Sequence, residues 1–198
     1  MLGRAQALGF LGPAPVEGHI VHAAAFAAAA YPPDLALDLG AGGGVPGLFL
    51  AAVWPETRWV LLDAGRRRTA FLRDAVIELG WSDRIVVHRD RAEVAGRDPG
   101  LRGRHDLVVA RSFGPPPVTA ECGAPFLRVG GRLLVSEPPG PTDGTRWGDA
   151  GLARLGLRRG ASIVDDDAPA TIQTLIQAEP CGDDFPRRVG LPAKRPLW

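Results

Sequence analysis

Residues 35–47 read LALDLGAGGGVPG. The stretch opens as an apolar run with β-strand character, carrying Asp38 near its end. Glycines follow at 40, 42, 43 and 44, and Val45 and Pro46 lead into an apolar helical stretch over 48–53. A strand that breaks into a glycine-rich turn and then opens a helix is where α/β proteins hold nucleotide-like ligands. The missing Cβ atoms let a ligand approach the backbone, and a helix start offers unpaired N–H groups.

Asp38 narrows the ligand. A carboxylate at the strand end repels a pyrophosphate but suits a ligand bearing cationic or hydroxyl groups. S-adenosylmethionine has an ammonium, a sulfonium and ribose hydroxyls. Gly42, Gly44 and Gly47 also satisfy a dinucleotide-type G-x-G-x-x-G spacing, a weak match in a chain with 26 glycines. Pro46 has no N–H to offer a phosphate. The Asp38-to-Gly42 register therefore favours a methyl-donor site over a dinucleotide site, with a ligand-free βα turn as the third reading. Asp63, at the end of the next apolar run and about 20 residues beyond the turn, is placed to accept both ribose hydroxyls. It is also placed to cap the following helix.

Working outward, apolar periodicity predicts strands over 35–39, 58–62, 85–88, 107–110 and 132–135. Helices are predicted over 46–53, 67–79 and 118–126, with an Ala-rich helix over 21–30 ahead of the first strand. Weaker strands at 162–164 and 171–178 lack a helix between them and read as an antiparallel hairpin. Strands separated by helices give an α/β fold with a mostly parallel sheet closed by an antiparallel strand. Residues 138–148 read as a loop. The whole chain, 1–198, is expected to form one domain, with a short helical extension over 1–34 and a basic, proline-rich tail over 182–198 held extended by Pro186, Pro192 and Pro196.

The formal net charge is +1, so no global field draws the protein onto nucleic acid. Any such contact needs local patches. Cys122 and Cys181 show no metal spacing and fit reduced thiols of a cytoplasmic chain better than a disulfide framework, with a single bridge as the open alternative. No apolar run is long enough for a bilayer, so neither a membrane nor a metal is expected as a partner. The four histidines form no ligand pattern, and no nucleophile–base pair stands out.

In an open parallel sheet the ligand sits beyond the carboxyl ends of the strands, which brings two more loops to the site. Arg91, Ala92 and Glu93 follow the third strand and can meet an adenine ring. Arg111, Ser112 and Phe113 follow the fourth. An arginine there needs a partner, whether the donor's carboxylate, a substrate phosphate or Asp38. Phe113 is placed to stack on a base. In the tail, Arg187, Arg188, Lys194 and Arg195 can track a phosphate backbone, or serve solubility alone.

Several segments together resemble the RsmG family, also called glucose-inhibited division protein B. They are LDLGAGGGVPGL (37–48), LLDAGRRRTAFLRDAVIELG (61–80), HRDRAE (88–93), DLVVARSF (106–113), LRVGGRLL (127–134) and FPRRVGLPAKRPL (185–197). The resemblance implies a class I methyltransferase fold, S-adenosylmethionine as donor, and guanine-N7 methylation of 16S ribosomal RNA, free or in the small subunit; a monomer is the separate expectation for its assembly. It implies donor contacts at Gly40, Val45, Ala92, Glu93 and Arg111, to which the residue reading adds Asp38, Gly42 and Asp63. Arg111, Ser112, Phe113 and the four tail cations are the substrate candidates. No catalytic base is implied, since the N7 lone pair is free at neutral pH and the reaction needs proximity.

Two places depart from the family. The N-terminal region is short and lacks an Asn-Leu-Thr element, and Ser136-Glu137-Pro138 stands where members carry lysine followed by glycine. A carboxylate beside an RNA site weakens phosphate attraction. Two other readings therefore stay open: a methyltransferase for a small heteroaromatic metabolite, and a non-catalytic donor- or RNA-binding paralogue.

Overall fold

The computed structural model describes residues 1–138, 146–165 and 170–198. Part of the expected 138–148 loop lies outside the described residues. Helices α1 (Leu2–Ala7) and α2 (Val16–Ala28) precede β1 (Leu35–Leu39). Then come α3 (Gly47–Val53), β2 (Arg58–Leu62), α4 (Arg66–Glu78), β3 (Ile85–His88), α5 (Ala92–Ala95) and β4 (His105–Ala110). The chain continues through α6 (Pro116–Gly123), a 3₁₀ turn (Ala124–Phe126), β5 (Leu127–Glu137), α7 (Asp149–Arg154), β6 (Leu157–Asp165), β7 (Ala170–Gln177) and α8 (Leu191–Lys194).

The strands form one seven-stranded sheet in the order β3-β2-β1-β4-β5-β7-β6. β1 to β5 run parallel, whereas β7 is antiparallel to both β5 and β6. This is the expected parallel sheet with an antiparallel close. Side chains alternate across it with period two. Ala36, Trp59, Leu61, Leu107 and Val109 pack with Phe26, Leu50 and Leu72 on the face covered by α2, α3 and α4. Leu37, Leu39, Val60, Leu62, Val108 and Ala110 pack with Phe126 and Leu152 on the opposite face. Burial on both faces explains why these strands read as short apolar runs.

Several elements differ from expectation: the short helices α5, α7 and α8 were not foreseen, and β6 begins at Leu157 rather than at 162. β5 spans eleven residues, because the strand runs through Gly130 and Gly131, which read as a preceding turn. Gly130 takes φ of +83°, and the pairing register with β4 shifts between His105 and Leu107, so the irregularity is a bulge within a continuous ladder. The N-terminal region holds two helices where one was expected. The tail is folded back. Arg102 donates to the carbonyls of Gly96, Phe185, Cys181 and Gly182, and Arg97 to those of Asp183, Asp184 and Pro186. These bonds supply the anchoring that prolines alone do not.

Candidate active site

The β1 turn is tied to the neighbouring strand. The N–H groups of Gly40 and Ala41 both donate to Leu62 O, at 2.8 and 2.9 Å, and that of Gly42 donates to Asp63 Oδ2 at 3.0 Å. Gly40 and Gly42 hold φ of +75° and +53°, a region costly for residues with a Cβ. A Cβ on Gly40 would also lie 2.7 Å from the Phe113 ring. The turn thus brings backbone, Asp63 and Phe113 around one space. That space is a cavity of about 730 Å³ beyond the carboxyl ends of the parallel strands, well within the range of small-molecule sites.

Gly40, Gly42, Val45, Asp63, Ala92, Glu93, Arg111, Ser112 and Phe113 all line this cavity. Asp38 does not. Period-two alternation turns it onto the α3 face, where it is 1% exposed and its Oδ2 accepts the Gly47 N–H at 2.8 Å. The expected role for Asp38 beside the ligand's cation, and for the α3 start as a donor to the ligand, gives way to a bond between the two. Burial lifts the Asp38 carboxyl to about 7, against the Gly47 bond and the nearby Arg111 charge.

Asp63 is 5% exposed. Besides Gly42, it accepts the Gly65 N–H at 2.7 Å and both Nε and Nη2 of Arg68 at 2.8–3.0 Å. Arg68, itself half-exposed, covers the carboxylate from the cavity side. Glu93 Oε1 accepts the Gly190 N–H at 2.9 Å and Arg91 Nη2 at 3.2 Å, so the loop after β3 also fastens the tail. Arg111 points to a partner not foreseen in the sequence. Its Nη1 lies 3.2 Å from His19 Nδ1. Arginine only donates, so Nδ1 accepts and Nε2–H donates to Gly12 O at 3.1 Å. Ser112 has φ of +53°, the one positive value outside glycine among the described residues. Backbone strain of this kind concentrates at functional sites.

The four tail cations separate. Arg187 bonds Glu121 through its backbone N–H at 2.9 Å, Nε at 2.8 Å and Nη2 at 2.5 Å, and Glu121 is fully buried. Arg187 therefore leaves the set of phosphate-tracking residues, because its charge is spent holding the tail. Arg188, Lys194 and Arg195 are exposed, and none of the three is ion-paired among the described residues. Glu137 is 6% exposed, paired with Arg146 and bonded by Trp147 Nε1 at 2.6 Å. Its charge is compensated within the fold and does not face the cavity as a free carboxylate.

Sequence reasoning missed the N-terminal wall. Residues 9–12 (GFLG) line the cavity, and a Cβ on Gly43 would lie 2.8 Å from Leu11 Cγ. Phe10 packs edge-on against Phe71 with centroids 5.7 Å apart. The only available signal was a short apolar stretch between glycines. Among the described residues no group of three or more His, Cys, Asp or Glu could hold a metal, both cysteines are free, and no helix is long and apolar enough to cross a membrane.

Residues 16–138 match the family model described as GidB, rRNA small subunit methyltransferase G. The chain belongs to the GidB family. The ribosomal RNA small subunit methyltransferase G of Parasynechococcus marenigrum is 37% identical over 174 residues, covering 82% of this chain and 67% of the relative. That of Rubrobacter xylanophilus is 35% identical over 167 residues, covering 81% and 64%. The chain thus spans about two-thirds of the length of these GidB relatives. Among solved structures, the mitomycin 7-O-methyltransferase MmcR aligns with a TM-score of 0.62 at 18% identity, covering 81% of this chain and 54% of that one. The S-adenosylmethionine-dependent methyltransferase SibL gives 0.56 at 18% identity, covering 74% and 51%. At that identity the likeness is one of fold. Family and fold together establish an S-adenosylmethionine-dependent methyltransferase. The cavity suits that donor: glycine backbone on one side, a buried carboxylate for hydroxyls, and an apolar stretch of Val45, Leu62 and Ala92.

Proposed function

We propose that this protein transfers a methyl group from S-adenosylmethionine to guanine N7 in 16S ribosomal RNA, acting as a cytoplasmic monomer on the RNA or the small subunit. The observation that carries the reading is the donor-sized cavity, edged by residues 111–113 and by Ala193 of the tail, beside the exposed Lys194 and Arg195. The bound donor supplies an electrophilic methyl on a sulfonium.

The chain's residues then have separable tasks. Asp63 accepts the ribose hydroxyls in place of Arg68. The turn at Gly40 and Gly42 gives backbone access, while Val45, Ala92 and Phe113 exclude water. Glu93 keeps the loop after β3 in place through Gly190. Arg111, held by His19, sets a positive charge beside the donor's carboxylate or an RNA phosphate, and Arg188, Lys194 and Arg195 add sequence-independent attraction. No side chain need remove a proton, because N7 has a free lone pair; the contribution is proximity and alignment. Transfer of labelled methyl to deproteinised 16S RNA or to small subunits, followed by mapping of the modified base, tests the reading. Normal donor binding with no label in either substrate refutes it, and label appearing only in small heteroaromatic compounds replaces it with the metabolite reading.

A further inference from the structure

A second hollow, of about 410 Å³, adjoins the donor cavity and shares Val118 and Ala193 with it. Its other walls are residues 115–117, three consecutive prolines, together with Arg146, Pro196 and Trp198. We propose that this groove seats the acceptor, an unstacked purine nucleotide of a single RNA strand, with the Trp198 indole as its stacking face. The inference rests on the RNA reading above.

The groove has what such a nucleotide needs. The indole is held by a bond from its Nε1–H to Arg146 O at 3.0 Å. It lies over Gly148 and Gly151, and a Cβ on Gly151 would overlap the ring. A ring seated this way loses little freedom when a base stacks on it. The prolines at the start of α6 supply a rigid apolar part of the same lining. Arg146, with a side chain 42% exposed, gives one N–H to Glu137 and keeps others for a phosphate, since a guanidinium carries five. Lys194 and Arg195 stand in the segment between Ala193 and Pro196, exposed and without a carboxylate partner among the described residues. An aromatic platform flanked by cations is the general solution for holding single-stranded nucleic acid. Continuity with the donor cavity makes this groove the acceptor's seat, because a base placed there borders the space the donor fills.

The test compares the full chain with W198A, W198F and G151A. The G151A substitution keeps the indole but displaces it from its seat. Each variant is measured for S-adenosylmethionine affinity by calorimetry, for KM and kcat with 16S ribosomal RNA, and for ultraviolet crosslinking of that RNA to the peptide containing Trp198. Loss of one base–aromatic stack predicts that W198A and G151A raise KM for RNA about tenfold. Donor affinity should stay within about twofold and W198F within about threefold of the parent. Wild-type protein should crosslink at Trp198. An RNA KM unchanged in W198A, with an active parent, overturns the inference and leaves the RNA reading intact. A parent that binds donor but transfers no methyl to RNA overturns both.

Discussion

Removing the Arg187 side chain should unfold more of the protein than it should weaken RNA binding. Glu121 is fully buried and accepts three N–H groups from Arg187, two of them from the guanidinium. The carboxylate in turn raises the arginine's own pKa, chiefly through the side-chain bond. R187A leaves that carboxylate buried with only the backbone donor. Breaking one side of a buried pair costs about 3–5 kcal/mol, out of a total of roughly 5–15 kcal/mol for a domain. For a chain of this size that corresponds to a fall in Tm of roughly 6–20 °C. Urea and thermal unfolding, followed by circular dichroism, measure it directly. A double variant, E121Q with R187A, should recover most of the loss, because the uncompensated charge is gone. R188A, exposed and unpaired among the described residues, should leave stability within about 0.5 kcal/mol and reduce the salt slope of RNA binding by about one. If R187A proves as stable as the parent while RNA affinity drops, the assignment of Arg187 to the fold is wrong and its place among the RNA-contacting cations is restored.

Other outcomes follow from the same geometry. The Asp38 carboxyl sits at about 7 in the fold against 3.8 ordinarily, so between those pH values the folded protein holds a proton that the unfolded chain has released. Stability should therefore fall as pH rises through that window, by about 1.4 kcal/mol per unit, and level off above it. Between about pH 5 and about pH 8 the parent should lose roughly 3 kcal/mol more than D38N; equal losses would show that Asp38 does not titrate there. On the proposed ribose role of Asp63, Arg68 competes with the hydroxyls, and with its guanidinium end of the pair open to solvent R68A should tighten S-adenosylmethionine binding by up to about fivefold in calorimetry. Weaker binding would mean that Arg68 assists the ligand. A methyl group at position 47 would overlap the Asp38 carboxylate and the Leu61 side chain; G47A should cost about 1–3 kcal/mol in urea unfolding, and a neutral result would sink the Asp38–Gly47 contact.

The sheet and the glycine turn were legible because their signals are local. β1 and β2 each lie between two covered faces and appear as apolar runs, and the glycines and Asp63 occupy fixed places relative to those runs. What stayed hidden depends on residues far apart in the chain. Glu121 and Arg187 are 66 positions apart, and nothing in a basic, proline-broken tail distinguishes the buried arginine from its exposed neighbour. His19 was legible only as one of four scattered histidines until the fold set it against Arg111. Asp38 was placed at the right strand end but on the wrong side of it, because alternation along β1 decides its face and the glycine motif alone does not. The bulge at Gly130 looked like a turn, since both use the same backbone freedom.

The cavity proposed for the donor has walls drawn from residues 9–12 at one extreme and Ala193 at the other. A ligand in it therefore touches segments that no short stretch of chain brings together, and its binding is coupled to the docking of both. By linkage, saturation at about one hundred times Kd adds about 2.7 kcal/mol against any opening that empties the site. Detachment of the GFLG segment or of the tail around Ala193 is such an opening. With the donor bound in this cavity as proposed, the resistance of these two peripheral segments to a protease would become a measure of donor occupancy, the methyl donor acting as a clasp between the GFLG segment and the tail.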